Sequence, residues 1–356
     1  MAQGKTKIYI GGLIPGARPF PILNRHLGIP PYAGKKPYRA IFDSMDFSFM
    51  EIVRNPEDAD FFLMPHNYSS RMDRDYLDRF ILLASKYKKR VILFAYGDME
   101  EDIRFPNTVV FRCAQYAHQK RNYEIIIPAQ IYDRDILDDD AFSPREKKNK
   151  PTVSFCGWAG FNSATQGFKY LLKIIPLDFK KYFLFDKYAD VRKQGIYFRR
   201  RAIKALQASA IVDTAFLIRD FYSANKYTIK GDPAELRKEY IKNIVNSDFV
   251  LTPRGDGNYS IRFYEALALG RIPVLIDTEC VLPLEDTIDY KKFVVFVPYA
   301  DIKNTDIYIR KFWDARDSNE FQSAQKLARD TFMKYLKLDS FLKHAMENKN
   351  ILLCGK

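Results

Sequence analysis

Cysteine and histidine are scarce in this chain of 356 residues, at four each. The cysteines, at 113, 156, 280 and 354, are far apart and form no Cys-x-x-Cys pair. That spacing argues against both a disulfide framework and a thiolate zinc site, and leaves unpaired thiols in a reducing compartment as the expectation. Long apolar runs are missing too: none approaches the ~18 residues that a membrane-spanning helix requires. The N-terminus, MAQGKTKIYIGG, passes straight into a strand pattern without the apolar core of a signal peptide. Internal repeats and low-complexity segments are absent.

Acidic residues are in deficit, 44 against 57 Lys and Arg, for a net charge of +13. Nucleic acid is the first partner such a balance brings to mind. The basic residues are dispersed, however, over 86–90, 145–150, 199–201 and 291–292, and no nucleic-acid motif accompanies them. Most are expected on solvated faces, and no nucleic-acid partner is expected. Attraction to an anionic membrane surface is a second expectation.

What the chain does have is enough apolar residue, 47%, for globular cores, and enough length for two domains. Strand patterns at 8–10, 59–64, 91–95, 109–111 and 124–127 alternate with a helix at 74–86, whose Leu77, Phe80, Ile81 and Ala84 share one stripe. A polar, Pro-containing stretch, 138–150, reads as a linker. Beyond it a strand opens near Val153, and helices fall near 199–207 and 234–246. A strand follows at 293–297, and an amphipathic segment at 321–335 closes the chain. This alternation predicts an α/β protein of two doubly wound, Rossmann-like domains, 1–150 and 151–356, facing across a cleft.

The most informative stretch runs from Ser247 to Asp286 and reads strand, glycine loop, helix, strand. Pro253-Arg254-Gly255-Asp256-Gly257-Asn258 forms the loop, residues 259–269 show helical spacing with Gly270 as a stop, and 272–276 is a buried-strand pattern. A glycine loop feeding a helix start gathers free N–H groups and the positive dipole end, which suits phosphate. Arg254 and Arg262 add forked cations able to grip phosphate oxygens. Ser260 lies between them, and Glu265 and Asp277 are acidic groups on the same unit, suited to ribose hydroxyls.

Residue by residue, this segment resembles the exostosin family of glycosyltransferases. The likeness is carried by Ser247 and Phe249, Pro253-Arg254-Gly255, Gly257, Ser260 and Arg262, Glu265-Ala266-Leu267, Gly270, Ile272-Pro273-Val274, Asp277 and Leu282-Pro283. Thr252 and Arg271 depart from it, standing where many relatives have cysteine. Weaker echoes, in the family's order, fall at Lys7–Ile10, Asn55–Pro65, Val91–Asp98, Ile125–Pro128 and Val153–Gly157.

The resemblance implies a GT-B architecture and an inverting transfer from a nucleotide sugar, a UDP-sugar, to a saccharide or glycolipid acceptor. Arg254, Gly255, Gly257, Ser260, Arg262, Glu265 and Asp277 would then hold the donor, with Arg254 also stabilising the departing diphosphate. An acceptor hydroxyl needs a general base. Asp98, at an acidic position of the family, and His66 both follow strands of the first domain and are the candidates. No cofactor and no metal are expected beyond the donor, and Asp138-Asp139-Asp140 is read as solvated linker. Animal and plant members carry an N-terminal anchor; this sequence shows none, which predicts a cytoplasmic enzyme with peripheral membrane contact. The rivals are a GDP-sugar-using, fucosyltransferase-like enzyme and a nonenzymatic phosphate- or nucleic-acid-binding protein.

Overall fold

The computed structural model describes residues 5–30, 42, 45–69, 72–131, 136–138, 142–161, 163–222, 227–348 and 352. The chain divides into two compact units. The first takes 1–134, 281–285 and 333–356, and the second takes 135–280 and 286–332. Each is built on one all-parallel sheet.

In the first unit, β1 (Thr6–Tyr9), β2 (Met50–Ile52), β3 (Phe61–Leu63), β4 (Val91–Ala95), β5 (Thr108–Arg112) and β6 (Glu124–Ile126) lie in the order β2-β1-β3-β4-β5-β6. Residues in β3, β4 and β5 are buried throughout, as strands covered on both faces must be. The helix α1 (Arg74–Lys86) starts where the Asp73 carboxylate accepts the N–H groups of Asp75 and Tyr76. It buries Leu77, Phe80, Ile81 and Ala84, the stripe its sequence predicts.

The second unit runs β7 (Thr152–Trp158), α2 (Ala164–Phe183), α3 (Gly195–Gln207), β8 (Asp213–Arg219), α4 (Pro233–Val245), β9 (Phe249–Leu251), α5 (Ile261–Ala268), β10 (Ile272–Asp277), β11 (Val295–Pro298), α6 (Thr305–Asp314) and α7 (Ser318–Thr331). Its sheet order is β11-β10-β9-β7-β8. Counted within each unit, both sheets start from strand order 2-1-3-4-5, the doubly wound plan of the expected Rossmann-like units. In both, the winding reverses beside the first strand, here between β7 and β9. Crevices at such reversals are where open α/β sheets take ligands.

Two features depart from the sequence reading. The last helix, α8 (Leu338–Glu347), belongs to the first unit although it follows the second in sequence. Its buried Leu338, Phe341, Leu342, Ala345 and Met346 are the reason, helped by a Thr6 hydroxyl donating to Met346 O and an Asp46 N–H donating to Asp339. The stretch read as linker is, over 142–150, bonded to the second unit. Arg145 donates to buried Asp248 at 2.9 Å, and buried Arg271 donates to Ser143 O at 3.1 Å. Arg271 thus serves packing.

Candidate functional site

At the carboxyl ends of β7 and β8 a pocket of about 490 Å³ lies beside one of about 230 Å³. The smaller reaches the reversal point. Cys156, Gly157 and Trp158 from the end of β7 line it, with Arg219 from the end of β8, Arg199 from α3, Arg237 and Tyr240 from α4, and Arg262 from α5. Four arginines share one wall system.

Their partners divide them into two kinds. Arg219 pairs with Glu239 at 2.5 Å and Arg237 with Glu265 at 2.8 Å. Arg199 and Arg262 form no ion pair among the described residues and bond only to backbone carbonyls. Arg199 donates to Trp158 O at 3.3 Å and Arg254 O at 3.2 Å, and Arg262 donates to Cys156 O at 2.8 Å. The buried Nε of each has no hydrogen-bond partner among the described residues. Desolvation, reinforced by the Arg262 charge, lowers the Arg199 guanidinium to about 10. It stays cationic at neutral pH, at a cost that a bound anion would offset.

Two glycines make this convergence possible. Gly157 has φ of +152°, and a Cβ there would come within 2.9 Å of Arg262 Nη2. Arg262 also packs over the Phe155 ring at 4.5 Å, so it is held flat against the end of β7. At the start of α3, a Cβ on Gly195 would stand 2.3 Å from Arg254 O and 2.4 Å from Gly255 O. The glycine loop therefore rests on the helix that carries Arg199.

The expected donor residues are spread through this neighbourhood unevenly. Arg262 lines the pocket. Glu265 is buried behind the wall, where its carboxylate accepts from Arg237 and from Tyr240 at 2.5 Å. Burial, with the Glu265 charge and that bond, pushes the Tyr240 hydroxyl well above its ordinary range. Arg254 is buried and donates to Val191 O at 3.1 Å and Asp256 O at 2.8 Å, so its guanidinium shapes the loop. The Gly255 N–H donates to Tyr259 O, and Gly257 O accepts from Tyr259 N–H, which closes the turn. Ser260 is the N-cap residue of α5 and makes no capping bond with its side chain. Asp277 ends β10, accepts from Cys280 N–H at 3.3 Å, and is raised by burial.

The candidate bases lie in the first unit. Asp98 is exposed just beyond β4, and its charge reaches the Cys113 thiol, which burial pushes up to about 12. His66 is buried: Nδ1 donates to Arg18 O at 2.9 Å and Nε2 accepts from Ile14 N–H at 3.0 Å. Both nitrogens are occupied by the fold, which leaves no lone pair for an acceptor. Asp138 is exposed; Asp139 and Asp140 lie outside the described residues. Among the described residues no group of three or more His, Cys, Asp or Glu is placed to hold a metal.

Arg199, Arg219, Arg237 and Tyr240 escape the sequence reading. Arg199 had a signal: it shares the helical stripe of Ile196, Ile203 and Leu206, all buried, yet its triplet with Arg200 and Arg201 reads as a solvated charge run. The other three carry no motif.

Comparison with known proteins gives the same segment weight. Residues 186–312 match the family model of the exostosin GT47 domain. An exostosin-1 homolog of Caenorhabditis elegans is 40% identical over 65 residues, 18% of this chain and 17% of that protein. Exostosin-1 of Drosophila melanogaster is 45% identical over 60 residues, 17% of this chain and 8% of that protein. A probable arabinosyltransferase of Arabidopsis thaliana is 35% identical over 63 residues, covering 18% and 14%. The chain thus spans less than a fifth of the length of these relatives. Among solved structures, TarM superposes with a TM-score of 0.36 at 9% identity, over 82% of this chain and 55% of that one. WaaG, described as a glycosyltransferase involved in lipopolysaccharide biosynthesis, gives 0.33 at 9%, over 98% and 99%.

Proposed function

We propose that this chain, an exostosin-family glycosyltransferase by its match over residues 186–312, moves a sugar with inversion from a UDP-sugar to a saccharide acceptor. The observation that supports this reading most is the pair Arg199 and Arg262, two partly buried cations without a counter-ion among the described residues, facing a pocket at the reversal point of the sheet. An anion is the missing partner. In the reaction the acceptor oxygen bonds to the anomeric carbon as the bond from that carbon to the diphosphate oxygen breaks. Its proton passes to a carboxylate, with Asp98 the proposed base, and the two arginines take up the charge growing on the diphosphate. A lipid-borne acceptor at a membrane surface belongs to the same proposal.

Guanidinium groups supply this charge neutralisation within the chain, so activity is expected to persist in excess EDTA; complete loss, restored by Mn²⁺ or Mg²⁺, would overturn that part. The donor site is tested by calorimetric titration with UDP, UMP and GDP. UDP is expected to bind, UMP more weakly, and Arg262→Ala to weaken UDP about tenfold or more, the scale of one charge-assisted hydrogen bond. Preference for GDP would move the reading to the fucosyltransferase-like rival. Salt-sensitive duplex binding without nucleotide binding would remove the enzyme altogether.

A further inference from the structure

The helix α2 has its apolar stripe on the wrong side for a core. Phe168, Leu171, Leu172, Ile175, Phe179, Tyr182 and Phe183 are each more than half exposed. At 100° per residue they fall within an arc of about 120°. The opposite side does the packing, with Ile174 buried and Tyr170 and Leu177 half-buried. An outward stripe of aliphatic and aromatic residues of this length is a surface that water leaves unsatisfied.

Its borders and its end point to the same occupant. Lys169, Lys173 and Lys180 fall along one edge of the stripe, exposed, and form no ion pair among the described residues. Phe179 and Phe183 stack at 4.8 Å on the surface. The chain then turns with Phe185 at φ +51° and 86% exposed. An aromatic residue in that left-handed region, where glycine is usual, is strained by about 1–2 kcal/mol and holds its ring outward. An antiparallel second copy would set one lysine row against the other. Anionic lipid headgroups complement them, and the net charge of +13 favours the same surface. Among the described residues no helix is long and apolar enough to cross a membrane.

We infer that α2 and the turn through Phe185 dock on an anionic lipid bilayer, lying in its interface with the aromatic and aliphatic stripe among the acyl chains. This does not rest on the glycosyltransferase reading. The test is co-sedimentation of the full chain with vesicles of phosphatidylcholine, alone or mixed with phosphatidylglycerol, at low and high salt. Binding is expected to the mixed vesicles and to weaken with salt. Phe179→Ser/Phe183→Ser is expected to lower it about tenfold, and Lys169→Glu/Lys173→Glu about fivefold or more per lysine. Melting curves and UDP titration are expected to match the parent protein, since these side chains touch neither core nor pocket. Absence of binding to mixed vesicles at low salt overturns the inference, and so does undiminished binding by either variant. Self-association abolished by the phenylalanine pair, without vesicle binding, assigns the stripe to a second copy instead.

Discussion

At the scale of single residues, the question is which charges are held for chemistry and which for the fold. Asp98 and His66 look alike in sequence, each polar and just beyond a strand. The structure separates them, because His66 spends both ring nitrogens on backbone groups while Asp98 stands exposed. Asp98→Asn is expected to lower kcat by about 10²–10⁴-fold with the donor KM little changed, the effect of removing a general base. His66→Gln is expected to act on the melting temperature more than on kcat. Steady-state kinetics beside melting curves decide this, and unchanged turnover in the asparagine variant would sink the assignment. Arg199 offers the reverse signature. Its guanidinium is depressed by desolvation to about 10, below its ordinary value, so at neutral pH it is charged in both folded and unfolded chains and the desolvation cost is fully present. The cost lifts only as pH rises through 10. Arg199→Leu is therefore expected to keep or raise the melting temperature at pH 7 while weakening UDP about tenfold or more. A large fall in melting temperature would show that its two carbonyl bonds outweigh the charge.

At the scale of elements, legibility followed whether an element's pattern faces the core. The helix at 74–86 was legible because its stripe is buried and an aspartate caps it. The glycine-loop unit was legible because loop, helix and strand each carry their own local signal. The helix α2 was not, since its periodic apolar residues face outward, Pro176 stands inside it where sequence suggests a break, and a core-seeking reading finds no place for it. Strands β2 and β8 are not legible either; β8 lies at a sheet edge, half-buried or exposed over Asp213–Ile218, and its apolar run, Ala215–Ile218, is only four residues. The donor pocket was half legible: Arg262 comes from a motif, but Arg199, Arg219 and Arg237 converge through packing. The joint between α3 and the glycine loop is such a packing feature. At Gly195→Ala the new methyl would meet backbone at 2.3 Å, which no rotamer change relieves. The variant is expected to lose about 1–3 kcal/mol of stability and to weaken UDP by moving Arg199. Denaturant melts and nucleotide titration report the two effects, and normal values in both would mean that the joint is loose.

At the scale of the whole molecule, the two units were legible as classes but not in their membership. Sequence order assigns the last residues to the second domain, whereas α8 fills the core of the first. Nothing local could reveal this, because an amphipathic helix carries its stripe without naming the sheet that will receive it. The consequence is measurable. Leu338, Phe341, Leu342 and Met346 of α8 are at most 2% exposed, and burying each such side chain contributes about 1.5–3 kcal/mol. Their sum is comparable with the whole stability of an ordinary domain, about 5–15 kcal/mol. Truncation after Phe332 is therefore expected to unfold the first unit, although every residue removed follows the second. The second unit keeps its sheet, its glycine loop and all four arginines, so calorimetry of the truncated chain is expected to show a transition that UDP still raises. The first unit's transition is expected to fall or vanish. If the truncated chain melts as the full chain does, α8 is not part of that core. If UDP protection disappears together with the first unit, the donor site is not confined to the second unit, and the pocket between α3, α4 and α5 is insufficient to hold the nucleotide.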